Sequence, residues 1–146
     1  MKNTRIGLVL LTMALIACLC PALADPSDKL TQEELDRLAE TEGLRFMHGF
    51  DWRSWVNRCK ERGATDDMFV AAFSKVAERT MGAEYWTDDE CKCMNAVASI
   101  REFNVAASNL TTVVQLVKNA KSSRVRSAAV STYYKHTKGT DDYLDF

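Results

Sequence analysis

Beyond residue 26 the chain has no proline, since Pro21 and Pro26 are its only two. An interior proline costs a helix about 3 kcal/mol. A stretch from Ser27 to Phe146 free of it, and rich in Ala, Leu, Glu and Lys, therefore leaves long helices open to the chain. The absence only permits helices; local signals place them.

Those signals begin after an N-terminal segment of different character. Lys2 and Arg5 precede an apolar run over residues 6–19, followed by Pro21 and the small-residue ending Ala22-Leu23-Ala24. Basic, apolar and cleavable in that order is the pattern of a secretory signal peptide, and the run is shorter than the roughly 20 apolar residues a membrane span needs. The expectation is a signal peptide at 1–24 and a single α-helical domain at 25–146. A second exit is present in the same segment. Leu15-Ile16-Ala17-Cys18 resembles the bacterial lipobox, which would leave Cys18 lipid-modified and tether the domain to a membrane. Either route exports the body to the periplasm, cell surface or extracellular space. Loss of Lys2 and Arg5 moves the formal charge from -1 to -3, so no basic excess points to nucleic acid.

In "LTQEEL", Thr31 can cap a helix with Glu34 at capping-box spacing, and Leu30 and Leu35 stand at hydrophobic-staple positions. This predicts a helix over 32–42, stopped at Gly43. Asp51 can cap a second helix, with Trp52, Trp55, Val56 and Cys59 on one stripe and Gly63 closing it. Thr65 opens "DDMFVAAFSKVAERTM", with Phe69, Ala72, Phe73 and Val76 inward and Gly82 as the stop. In "WTDDECKC", Thr87 and Glu90 repeat the capping box and Trp86 and Cys91 fall at staple positions, which predicts a helix over 88–103 carrying Met94, Val97 and Ile100 inward. Two more follow, at 109–120 with Leu110, Val113, Val114 and Val117 inward, and at 124–137 with Val125, Ala128, Ala129, Thr132 and Tyr133. The link between these two is short enough to fold them as an antiparallel hairpin. The fold class is all-α, a compact bundle or short α-solenoid-like stack of three antiparallel helical hairpins, with Trp52, Trp55, Phe69, Phe73, Val97, Ile100, Val113 and Val117 in the core. Thr-Asp-Asp recurs at Thr65, Thr87 and Thr140 with unequal spacing, which is repeated capping chemistry and not a duplicated site. The last copy opens the terminal "TDDYLDF".

The last pair, "LTTVVQLVKNAKSSRVRSAAVSTYYKHT", resembles a HEAT-like α-helical repeat over about 110–137: an apolar first helix, a short turn, then Val125-Arg126 and Ala128-Ala129 on the second. Ser123 and Arg124 stand where the acid that usually precedes the Val-Arg pair would be. The resemblance implies protein–protein contact along a helical surface and no catalysis.

Of five cysteines, Cys59, Cys91 and Cys93 lie in the exported body. In an oxidising compartment an odd count allows one disulfide and a spare thiol, an intermolecular bond, or three reduced thiols. Cys91 and Cys93, about 200° apart around a helix, cannot both face Cys59, so the disulfide candidate is Cys59 with one of them. A structural zinc would need His48 or His136 as well. No Cys-x-x-Cys or His-x3-His spacing supports it, and Asp88, Asp89 and Glu90 oppose a reactive thiolate. His48, between Phe46, Met47, Gly49 and Phe50, fits a packing role better than a base or ligand, and His136 near a helix end fits a dipole partner. No nucleophile elbow, phosphate loop, dinucleotide fingerprint or His-Glu-x-x-His occurs. The expectation is a protein that is not an enzyme and takes no cofactor or metal.

Charge is segregated: 25–42 holds seven acids against two bases, whereas 103–140 holds Lys118, Lys121, Arg124, Arg126, Lys135 and Lys138 and no acid. Either the two ends attract each other within one fold or are solvated faces, or the basic six form a patch for an acidic partner, glycan or anionic lipid. The functional expectation is an exported, non-catalytic binding or structural module acting through protein–protein contact. The alternatives are a lipoprotein anchored at Cys18 with that basic patch, and a small secreted enzyme with a carboxylate site assembled by the fold.

Overall fold

The computed structural model describes residues 29–46 and 51–138, and among them there are six helices and no strand. The first, α1, runs Gln32–Leu38, widens into a π-helical turn Ala39–Gly43 and ends in a last α-turn Leu44–Phe46. Then come α2 Asp51–Glu61, α3 Asp66–Arg79, α4 Asp88–Ile100, α5 Thr111–Asn119 and α6 Ser123–Thr137. A 3-10 turn, Ala107–Asn109, leads into α5.

Capping chemistry sets the helix starts. Thr31, Thr65 and Thr87 are extended, and their Oγ1 atoms accept from the N–H groups of Glu34, Met68 and Glu90 at 3.2, 3.3 and 3.2 Å. Each hydroxyl satisfies an N–H that has no partner within its own helix. Ser122 does the same for α6, taking the N–H groups of Arg124 and Val125. At the other end of α2, Gly63 adopts φ +91, the left-handed conformation that closes a helix and that a Cβ would resist.

Gly43 is a correction. It does not stop α1, whose helical path continues through it to Phe46. What requires glycine is close approach: a Cβ there would stand 2.9 Å from Trp55 Cη2 and 3.0 Å from Phe73 Cζ. Gly82, by contrast, has open space around it, and α3 ends earlier, at Arg79, where Thr80 Oγ1 donates to the Val76 carbonyl at 2.8 Å.

α5 and α6 form the expected hairpin, and α3 packs along α4. α4 and α6 run parallel: Ser122, before α6, donates to Glu90 in the first turn of α4, while Thr132 Oγ1 donates to the Val97 carbonyl at 3.2 Å further along both. α1 lies parallel to α3 and is tied to α2 by the Arg62–Glu34 pair at 2.9 Å. One hydrophobic cluster joins the helices, with Trp55, Phe69 and Phe73 at one end and Leu116, Val125 and Ala129 at the other. Phe69 stacks on Phe103 with centroids 4.6 Å apart, and Trp52 covers Trp55 and Phe73 while remaining half-buried. Leu116 is buried where the inward positions of α5 were expected to include Val114, which is only half-buried.

Candidate functional site

Among the described residues no ion pair joins the acidic first helix to the basic last hairpin. The carboxylates of α1 pair with α2 and α3: Glu34 with Arg62, Asp36 with Lys75, and Glu40 with Arg79 at 2.8 Å. The last two pairs cross a cleft of about 440 Å³ between α1 and α3, lined by Asp36, Arg37, Glu40, Lys75, Glu78 and Arg79. Most of its charges are already matched, Glu78 taking the Thr112 hydroxyl as well.

The six basic residues divide into two groups. Lys118, Lys121, Arg124 and Arg126 gather around the α5–α6 turn, whereas Lys135 and Lys138 sit at the far end of α6, about 16 Å along its axis from Arg124. Arg126 donates to the carbonyls of Ala120 and Lys121 and so closes α5. Lys135 donates to the Arg101 carbonyl and lies 3.9 Å from Glu102; Lys121 lies 3.8 Å from Glu84. The two carboxylate contacts, Lys135–Glu102 and Lys121–Glu84, are exposed pairs of the kind that contribute about 0–1 kcal/mol. Lys118 and Lys138 are exposed.

Arg124 is different, because its partner is a carboxylate with no solvent access. Glu90, 0% exposed, accepts from the Ser122 hydroxyl, from the Trp86 N–H at 2.8 Å and from Arg124 Nη1 at 3.1 Å. The Ser122 hydrogen bond, helped by the Trp86 amide and the Arg124 charge, outweighs burial and holds the carboxyl below its ordinary range. In a capping box this glutamate would reach back to the N–H of Thr87. Here it takes the N–H one residue earlier and joins the starts of α4 and α6.

That bond fixes Trp86. Its φ is +64, a conformation that a bulky residue adopts at a cost of order 1–3 kcal/mol and keeps only when its surroundings enforce it. The ring is 82% exposed, with the Arg124 guanidinium over it at 4.7 Å. The expected staple between Trp86 and Cys91 is therefore absent, since both side chains face solvent. Tyr85 beside it accepts the Ser123 N–H at 3.0 Å on its hydroxyl, which also bonds Ser123 Oγ. Sequence reasoning took Trp86 and Glu90 for helix-start residues. The spacing that reveals a cap does not reveal that α6 would close over the glutamate.

Cys59, Cys91 and Cys93 are free thiols, so the pairing of Cys59 with either neighbour is not formed. Cys59 is buried on α2, with Arg58 and Arg62 at the end of its own helix and Glu42 and Glu34 of α1 as the nearby charges. Cys93 is buried against α3, its Sγ 3.6 Å from the Ala77 carbonyl, and Cys91 points outward. Burial raises the thiols of Cys59 and Cys93. His136 is half-buried, and burial lowers its basicity against a hydrogen bond to Ile100. No group of three or more His, Cys, Asp or Glu side chains is placed to hold a metal among the described residues. His48, Cys18 and the 140–146 segment lie outside those residues.

The chain matches no family model, no curated protein and no solved structure.

Proposed function

We propose that this is an exported, non-catalytic binding module that engages another protein through the outer side of α6 and the Tyr85-Trp86 loop attached to it. The observation that carries the reading is where large hydrophobic side chains remain exposed. Among the described residues they are Tyr85, Trp86, Val130 and Tyr134 at 48%, 82%, 42% and 55%, and each lies on α6 or in the loop bonded to its first turn. Clustered exposed apolar groups mark interaction sites, and rigid Trp and Tyr side chains surrounded by polar groups are the usual anchors. Trp86 is held in advance by Glu90 and Arg124, which lowers the ordering cost of binding. The HEAT-like pattern of the same hairpin supports contact along a helical surface. Export rests on Lys2, Arg5, the apolar run and the Ala22-Leu23-Ala24 ending. Use of Cys18 instead would place the same surface at a membrane.

The test is a photo-cross-linking amino acid in place of Ser127, between Tyr85 and Tyr134 on the outer side of α6, in full-length protein exported by its own host. A discrete adduct is expected from Ser127 and none from the same group at Thr41, an exposed position on α1. Equal patterns from both positions, or no adduct from either, would contradict the role.

A further inference from the structure

The outer face of α6 has a definite chemistry. Ser123, Ser127, Val130 and Tyr134 follow one another at i, i+4, i+7 and i+11, so they form one stripe about 16 Å long. Tyr85 stands at its first end, bonded to Ser123, and Val130 and Tyr134 supply exposed apolar surface toward the other. The stripe is framed by cations. Arg124 and Lys135 follow one edge, where Arg101 also reaches over from the end of α4 to Ser131 at 3.3 Å, and Arg126 lies on the other edge. Lys138 stands past the helix end.

Three carboxylates answer this frame. Glu90 is buried beneath it, and Glu84 and Glu102 make only exposed contacts, at 3.8 Å to Lys121 and 3.9 Å to Lys135. Asp88 and Asp89 lie nearby in the first turn of α4, where Lys92 takes Asp89 at 3.4 Å. Along α6 itself no acidic residue is present. An uncharged stripe of small and apolar groups with a row of Lys and Arg along one edge is complementary to a segment whose apolar residues are flanked by carboxylates.

We infer, on the binding reading above, that the segment docking along α6 is an acidic amphipathic stretch of a partner protein. Its apolar residues pack on Tyr85, Val130 and Tyr134, and its carboxylates meet Arg101, Arg124, Lys135 and Lys138. Apolar contact supplies the affinity, and the cations set orientation and association rate, so binding weakens with salt. Trp86, stacked on Arg124, closes the end of the stripe against the partner's terminus.

The probe is the fluorescein-labelled dodecapeptide EELLEELLEELL titrated into the full-length protein, with KKLLKKLLKKLL as the charge-reversed control. The acidic peptide is expected to bind and the basic one not. Tyr134→Ser, and separately the pair Lys135→Glu with Lys138→Glu, should each weaken binding at least about tenfold while the helical circular dichroism is retained. All of these side chains are exposed, so the variants are expected to fold, which the circular dichroism checks. Equal binding of both peptides, or an acidic-peptide affinity untouched by these substitutions, overturns the inference. Binding that appears only after Asp141, Asp142 and Asp145 are changed to Lys in the full chain assigns the surface to the protein's own "TDDYLDF" and overturns the external partner. A Ser127 adduct without preference for the acidic peptide overturns the acidic chemistry and leaves the binding role standing.

Discussion

Phe73→Ala is expected to remove about 3–5 kcal/mol of stability, the range for deleting a fully buried aromatic ring. Phe73 is inaccessible to solvent, and its ring centroid lies 5.8 Å from that of Trp52, 6.3 Å from Trp55 and 6.2 Å from Phe103. It therefore joins α3 to α2 and to the segment after α4, and the cavity left behind is walled by rigid rings that collapse poorly. Since a domain has about 5–15 kcal/mol to lose, the variant should unfold at markedly lower urea. A loss under about 1 kcal/mol would mean the cluster is not the core of the fold.

Gly43→Ala is the second large effect, and its sign is the opposite of helix propensity. Alanine is favoured over glycine in a helix by about 1 kcal/mol. At this position the new methyl would meet Trp55 Cη2 at 2.9 Å and Phe73 Cζ at 3.0 Å, and neither buried ring can swing away. Overpacking of this kind costs about 1–3 kcal/mol. Gly82→Ala is the control: nothing lies near its Cβ position and its φ is not positive, so it should be neutral or stabilising by up to about 1 kcal/mol. Urea unfolding of the two variants should therefore move in different directions. A stabilised Gly43→Ala would show that α1 does not approach α2 and α3 as described.

These residues also mark what the sequence could tell. The all-α class, the caps at Thr31, Thr65 and Thr87, the closing Gly63 and the inward Phe69, Phe73, Val97, Ile100 and Val113 were legible, because capping and helical periodicity are relations within one helix. Relations between helices were not. Gly43 had the spacing of a stop, but its role comes from two rings on other elements. The acids of α1 pointed by overall charge toward the basic hairpin, yet their partners are Arg62, Lys75 and Arg79, on the elements packed against α1. Glu90 stood in a run of three acids that suits a solvated first turn, and only the Ser122-Ser123-Arg124 turn folding over it makes it the buried member. Trp86 and Cys91 follow from that: once Glu90 takes the inward position, the staple positions on either side turn outward.

The account depends on Trp86 being a fixed anchor, its backbone held by Glu90 while its ring stays in solvent. Glu90's pKa lies below its ordinary value, so the interaction is intact above the ordinary carboxylate range and is lost as pH falls through the depressed folded value. Hydrogen exchange at the Trp86 amide, followed by NMR against pH and in Glu90→Gln, tests this most directly. The account predicts an amide protected near neutral pH despite the exposed ring, with protection falling on strong acidification and in the variant. A Trp86 amide that exchanges at the unprotected rate at neutral pH, or equally well protected without the glutamate charge, would contradict it.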